Sequence, residues 1–440
     1  MFFESLLRGL LGLAVIIGLA FLLSSSRRSI NWRTVGAGLL LQVVLAVLII
    51  KGDEMGSAFA PLGWPLNFFS WVSSFFVLVL DFTTEGARFV FGQLAVSPGE
   101  NGSLGGFFAF QVLPTIIFFS SLMSILYYLR VMQKIVAGMA WLVRRVLHTS
   151  GAESLSVTAN IFVGQTEAPL VVRPYLSGMT RSELMAVMTG GMATIAGGVM
   201  AAYIMMLGDA FAQAHGLSLD AARLAFAEHL LGASLMAAPA ALLLAKIMIP
   251  ETKTPETAGS ARVQIAQRSQ NVIDAAAIGA GDGLKLALNI AAMLIAFIAL
   301  IAMGNYIVDW IAGLFGYELT LQEIFGWTLA PMAWLIGVPW ADAIHFGSLL
   351  GTKVVLNEFV AYLGLAENIE AGLLSTKTIV MATFALCGFA NFSSIAIQIG
   401  GIGPLAPERT SELARLGLRA VLAGTLANLM TATIAGVLVS

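Results

Sequence analysis

Long apolar runs, separated by short clusters of polar and basic residues, set the rhythm of this chain. Such runs occupy 6–23, 34–50, 107–128, 184–207, 230–249, 284–307 and 416–439. At about 1.5 Å per residue, a helix of about 20 residues matches a hydrocarbon core about 30 Å thick. An eighth stretch, 378–399, is apolar at its edges and polar in its middle. The pattern therefore predicts eight membrane crossings. Between them, 68–91 mixes aromatic residues with Asp81, Glu85 and Arg88, and 131–147 sets Lys134 and Arg144 among apolar positions. Both are expected as interfacial helices. The stretch 250–281 is the one long hydrophilic linker, expected as an exposed cytoplasmic loop.

Two segments break the rules for membrane sequence. In the first, residues 155–163 and 168–176 would each make about 13.5 Å of helix, half a bilayer. Gly164 permits a tight turn between them, and Pro169 is tolerated in the first turn of a new helix. This predicts a re-entrant hairpin with Gln165, Thr166 and Glu167 at its tip. Polar backbone at that depth is tolerated only where protein or a water-filled cavity receives it. The second segment, 351–362, places Asn357 and Glu358 inside an apolar stretch. Asp342 and His345 are expected to be structural residues in the arm of that hairpin; the role of Lys353 is open. After each hairpin comes a span whose centre is rich in small or polar residues, 191–200 and 388–396.

Composition sharpens the membrane reading. Of 440 residues, 58% are hydrophobic and 11% charged, where a soluble chain carries roughly a quarter charged residues. A net charge of −2 with scattered Lys and Arg leaves no basic face for nucleic acid. The single cysteine, Cys387, excludes an internal disulfide framework and reads as apolar packing. With the N-terminus outside, the inside segments hold Arg27, Arg28 and Arg33; Arg130, Lys134, Arg144 and Arg145; Lys246, Lys253, Arg262, Arg268 and Lys285; and Arg409, Arg415 and Arg419. That bias puts both termini outside. It also gives the two hairpins opposite sidedness, the mark of an inverted repeat with its site where the halves meet. The first run is followed by Arg27, Arg28 and Arg33 and lacks a clean cleavage site, so a retained anchor is expected rather than a signal peptide.

Rival chemistries fare poorly. Gly279-Ala-Gly-Asp282 has the form of an intramembrane aspartyl protease motif but lacks a second facing carboxylate; Asp282 is expected at a solvated helix start. No His-Glu-x-x-His occurs. Gly400-Gly-Ile-Gly403 is expected as a loop. A channel is the more serious competitor, because hairpins meeting midway also build pores.

Three motifs carry a family resemblance: Gly164-Gln-Thr-Glu-Ala-Pro-Leu-Val-Val-Arg-Pro-Tyr175, Asn357-Glu-Phe-Val-Ala-Tyr362 and Cys387-Gly-Phe-Ala-Asn-Phe-Ser-Ser394. Together and in this order they resemble the signatures of the concentrative nucleoside transporter family, of the bacterial, sodium-coupled type. The resemblance implies an all-α integral membrane protein of the bacterial cytoplasmic (inner) membrane, with about eight transmembrane helices, two opposed re-entrant hairpins in an inverted repeat, and interfacial helices. It implies a homotrimer and a symporter, not an enzyme, with no cofactor beyond sodium as the coupling ion; proton coupling is the alternative. By the same resemblance Gln165, Thr166, Glu167 and Val199 face the nucleobase. Glu358, Asn391 and Ser394 hold the ribose, with Phe389 beside it. Asn160, the backbone of Val163, Thr194 and the backbone of Ile195 form the sodium site; Thr194 stands where some sodium-coupled members have serine, and keeps the hydroxyl. The chemistry of the residues agrees, since a carboxylate can accept both hydroxyls of a vicinal diol and a hard cation prefers neutral oxygens.

The organisation expected on this basis has five parts. Residues 1–150 hold the N-terminal spans and interfacial helices, mostly scaffold. Residues 151–249 hold the first hairpin and its following spans, 250–283 a cytoplasmic linker, and 284–318 a scaffold span. Residues 319–440 hold the second hairpin and the spans after it.

Overall fold

The computed structural model describes residues 2–97, 102–258 and 269–439, and among them every regular element is helical. Arg262 and Arg268, expected among the inside charges, lie outside the described residues. The chain opens with α1 (Phe2–Leu22), α2 (Trp32–Ile50), the short α3 (Gly52–Ala58) and α4 (Ala60–Phe91). There follow α5 (Phe108–Gln111), α6 (Leu113–Tyr128) and α7 (Val131–Leu147). The first hairpin pairs α8 (Gly151–Ala159) with a 3-10 helix at Ala168–Tyr175. Next come α9 (Arg181–Ala193), α10 (Gly197–His215), α11 (Leu219–Met248) and α12 (Val272–Gly313). The last third holds α13 (Leu321–Leu335), α14 (Trp340–Val355), α15 (Glu358–Glu370), α16 (Thr376–Leu386), α17 (Phe392–Ile402) and α18 (Thr410–Leu438).

Eight of the described helices, counting α9 with α10 and α5 with α6, are long and apolar enough to cross a membrane. The number agrees with the pattern, but the set differs. The stretch 68–91, expected at the interface, belongs to the 32-residue α4. Asp81, Glu85 and Arg88 crowd its last third and leave a largely apolar, charge-free length before them. Conversely, 378–399 is split into α16 and α17, each of 11 residues. The linker is also shorter than expected. Asn271 caps α12, its side chain accepting from the Asp274 N–H at 2.9 Å, so Asp282 sits three turns inside a helix rather than at its start. Gly400 and Gly401, expected in a loop, lie in α17, which runs to Ile402. Val131–Leu147 forms one helix with an apolar buried stripe, as an amphipathic segment should.

Burial divides the helices into two groups. Helices α9, α10, α11 and α18 bury most of their side chains, whereas most side chains of α1, α2 and α12 are partly or fully exposed. The exposed face of α12 carries Ile295, Ile298, Leu300, Met303 and Trp310, the surface that lipid rather than water solvates. Helix α18 lies at the centre, packing against α9, α11, α16 and α17. It thereby touches both interrupted spans, and the site forms around their breaks.

Candidate functional site

Each break has a local cause. Ser150 and Glu153 form a capping box that starts α8, the Glu153 carboxylate accepting from the Ser150 N–H at 2.7 Å. The α-helix stops at Ala159, four residues earlier than the apolar pattern suggests. Gly164 then lets the chain double back, and a Cβ there would run into the Glu167 carboxylate. The returning arm is a 3-10 helix rather than an α-helix, because Pro169 and Pro174 both withhold donors from it. In the second hairpin Asn357 caps α15, its side chain accepting from the Val360 N–H at 2.9 Å. Glu358 follows as the first residue of that helix, where the positive end of the helix dipole favours a carboxylate. Asn391 caps α17 in the same way, accepting from the Ser394 N–H at 2.9 Å and the Ser393 hydroxyl at 2.7 Å.

These elements surround a cavity of about 1200 Å³. Its lining includes Gln165, Thr166 and Glu167 of the first hairpin with Val199 of α10, and Asn357 and Glu358 of the second hairpin with Phe389, Asn391 and Ser394 at the second break. The cavity is also lined by Tyr127, Arg130, Arg173 and Ser269, in or beside segments that the charge bias places inside. The first hairpin is bonded to the second break, since the Gln165 amide donates to the Ser394 hydroxyl at 3.0 Å. Glu358 is buried, and one carboxylate oxygen accepts from the Asn391 amide at 2.9 Å and the other from the Tyr203 hydroxyl at 3.3 Å. It forms no ion pair with any described residue. Neutral donors thus hold the carboxylate in place, and each oxygen keeps a lone pair for a ligand hydroxyl.

Two side chains that the apolar pattern does not single out complete this arrangement. Tyr203 lies within an apolar run and stacks near Tyr362, ring centroids 4.3 Å apart. Gln398 sits one turn after Ser394 and donates to the Gln165 side-chain oxygen at 3.1 Å and the Met188 carbonyl at 3.0 Å. A glutamine inside Ile-Ala-Ile-Gln-Ile-Gly was the available signal; a polar side chain there needs a partner. Asp342 and His345 do not line the cavity. One Asp342 oxygen accepts from the Ser375 N–H at 3.1 Å and from the Ser375 and Thr378 hydroxyls, both at 2.6 Å, anchoring the start of α16. Cys387 is buried, with its sulfur 3.7 Å from the Ser234 hydroxyl.

A second set of polar groups lies in the turn after α8 and the break between α9 and α10. The Phe162 carbonyl accepts from the Gly197 N–H at 3.1 Å, holding the turn after α8 against the break between α9 and α10. Asn160 is buried; its amide N–H donates to the Ser156 carbonyl at 3.1 Å, while its Oδ1 has no partner. Thr194 donates its hydroxyl proton to the Gly190 carbonyl at 2.9 Å, leaving its oxygen free to accept. Among the described residues no backbone N–H bonds to the carbonyl of Val163 or Ile195. Four neutral oxygens, one an orphaned buried acceptor, suit a small hard cation and offer nothing to a soft one. No group of three or more His, Cys, Asp or Glu side chains able to hold a metal occurs among the described residues.

Comparison with known proteins gives a consistent result. Residues 11–94 and 229–436 match the models described as Na+ dependent nucleoside transporter N-terminus and C-terminus, and residues 109–210 match one described as nucleoside recognition. The nucleoside permease NupC of Helicobacter pylori is 41% identical over 100% of this chain and 99% of its own. The transporter YutK of Bacillus subtilis is 46% identical over 99% of this chain and 100% of its own. Sodium/nucleoside cotransporter 1 of Rattus norvegicus is 40% identical over 97% of this chain, which spans 63% of that longer protein. The solved structure of CNTnw in an inward-facing substrate-bound state is 45% identical, superposes with a TM-score of 0.85 and covers 99% of this chain and 98% of that one. A variant of CNTnw in an outward-facing state is 44% identical with a TM-score of 0.87, covering 99% and 98%. These relatives and the span-length helices make the chain an integral inner-membrane transporter rather than an enzyme. It belongs to the family of sodium-dependent, concentrative nucleoside transporters.

Proposed function

We propose that the chain is a symporter that imports nucleosides, uridine and related pyrimidine nucleosides and adenosine among them, coupled to sodium by alternating access. The observation that carries this reading is the Glu358 carboxylate. It is buried at the cavity wall, held by Asn391 and Tyr203 and left with lone pairs for a diol. The ribose hydroxyls would bond Glu358, Asn391 and Ser394, with the Phe389 ring against the sugar. The base would then meet the tip of the first hairpin, where Gln165, Thr166 and Glu167 offer donors and acceptors and the apolar Val199 also lines the cavity.

Sodium would bind the Asn160 Oδ1, the Thr194 hydroxyl and the carbonyls of Val163 and Ile195. The orphaned Asn160 oxygen supports this assignment, and the family description names sodium dependence. Neither Asn160 nor Thr194 titrates, so this cluster gives no support to the proton-coupled alternative. The presence of Arg130 and Ser269 in the cavity lining supports an inward-open conformation. The two hairpins, the broken spans and α18 would travel as the transport unit against a scaffold containing the N-terminal helices and α12. The broad apolar faces of α4 and α12 would serve both lipid and the contacts of a homotrimer. The test is uptake of labelled uridine and adenosine into proteoliposomes. Accumulation with an inward sodium gradient supports the reading. No uptake under any ion gradient, or uptake that ignores sodium and collapses with a protonophore, overturns it.

A further inference from the structure

Lys353 is fully buried, forms no ion pair with any described residue and does not line the cavity. Removing a charge from water is costly, so its surroundings must compensate. The Glu358 carboxylate acts on it through its field without touching it, and two neutral oxygens meet it directly. The ammonium donates to the Ala385 carbonyl at 2.9 Å and to the Asn428 side-chain oxygen at 2.7 Å. Ala385 belongs to the last turn of α16, a helix end whose carbonyls carry the negative pole of the dipole. The amide nitrogen of the same Asn428 donates to the Ala193 carbonyl at 2.7 Å, and Ala193 is the last residue of α9. Three side-chain bonds therefore join the C-terminal ends of α9 and α16, the first halves of the two broken spans.

The packing around this chain of bonds is equally close. Gly388, at φ +124°, presses on the first break: a Cβ there would fall 2.6 Å from the Ala193 carbonyl oxygen and 2.8 Å from the Asn428 oxygen. One turn before Asn428, Gly424 lies between Met192 and Ala390, a Cβ there falling 3.0 Å and 3.2 Å from their Cβ atoms. Helix α18 thus meets both breaks at once, by contact at Gly424 and by hydrogen bonds at Asn428. The two ends it joins lead directly into different sites. Ala193 precedes Thr194 and Ile195, and Ala385 precedes the segment bearing Phe389 and Asn391.

We propose that Lys353 and Asn428 are positioning residues that couple the ion site to the ribose site. Drawing the Thr194 hydroxyl and Ile195 carbonyl onto a cation fixes the backbone at Ala193. Asn428 and Lys353 transmit that position to Ala385, and so to the segment that presents Asn391 to Glu358. This rests on the ion and ribose assignments made above.

The test compares uridine dissociation constants in saturating sodium and in choline, measured on the purified full-length protein. Coupling energies between sites are commonly about 5- to 150-fold in affinity. Asn428→Asp is nearly isosteric. Its carboxylate, ionised beside Lys353, keeps the contact with the ammonium but cannot donate to the Ala193 carbonyl. Lys353→Met cuts the other end. Both variants should reduce the sodium effect to within about twofold of none, and in Asn428→Asp uridine affinity in choline should change far less. Asn428→Asp carries the test alone should Lys353→Met not fold. If the variants weaken binding equally with and without sodium and keep the wild-type ratio, the link is merely structural and the proposal falls. A wild type whose uridine affinity ignores sodium would instead overturn the underlying function.

Discussion

Replacing Glu358 with glutamine removes a charge while keeping the side chain's shape, and the structure dictates how the amide would sit. One Glu358 oxygen faces the Asn391 NH2 at 2.9 Å and the other faces the Tyr203 hydroxyl at 3.3 Å. The new NH2 group cannot face Asn391, donor against donor, so it must turn toward Tyr203, whose hydroxyl can rotate to accept. The sugar then meets one neutral acceptor and one donor where it had two halves of an anion. Hydrogen bonds to charged groups contribute about 1.5–3 kcal/mol, against about 0.5–1.5 kcal/mol between neutral groups. A net loss of about 1.5–3 kcal/mol corresponds to uridine binding about 10- to 150-fold weaker. The fold itself should tolerate the change, because the carboxylate has no ion pair to break and a neutral amide is easier to bury. The informative assay measures binding of uridine, 2′-deoxyuridine and 3′-deoxyuridine to both proteins. Wild type should favour the ribonucleoside over each deoxy analogue, and the variant should lose most of that preference. Should Glu358→Gln discriminate among the three as wild type does, the carboxylate is not the diol acceptor and the ribose lies elsewhere.

Other perturbations follow from the same geometry. Asn160→Ala should raise the sodium concentration for half-maximal uptake about tenfold or more and leave the pH profile unchanged, since a charge-assisted ligand is lost and nothing that titrates is touched; sodium titrations of uridine uptake at several pH values check this. Gln398→Leu leaves the Gln165 oxygen and the Met188 carbonyl without this donor, which should lower stability by about 1–3 kcal/mol and relax the ranking among uridine, cytidine and adenosine; thermal unfolding and competition uptake read the two effects. Asp342→Asn should cost about 1–3 kcal/mol by weakening three bonds at the start of α16. Because that site is away from the cavity, uptake by the folded fraction should keep its nucleoside ranking, and a changed ranking would refute the structural role given to Asp342.

The sequence by itself determined which segments could not be ordinary membrane helices. Gln165-Thr166-Glu167 and Asn357-Glu358 are legible because polar groups at bilayer depth are expensive without partners, and because Gly164 and Pro169 mark the turn beside the first of them. The near-full-length run of apolar segments likewise announced the membrane, and the order of three motifs announced the family. Element ends were less secure. A run of apolar residues reads the same whether α8 continues to Val163 or stops at Ala159, and the two prolines convert the returning arm to a 3-10 helix that periodicity does not reveal. The charges of Asp81, Glu85 and Arg88 pointed to an interface only because the apolar length upstream belongs to the same helix, α4.

What the tertiary structure alone decided is who partners whom. Lys353, Gln398 and Asn428 each announce a need, since a lone polar side chain in an apolar helix must be satisfied. Their partners lie tens to hundreds of residues away: Asn428 bonds Ala193, Gln398 bonds Gln165, and Lys353 bonds Ala385. Helix periodicity links residues three and four positions apart, and the need for a partner carries no address. Only the crossing of α18 behind both broken spans, and the approach of the first hairpin to α17, turns those isolated polar positions into one bonded site.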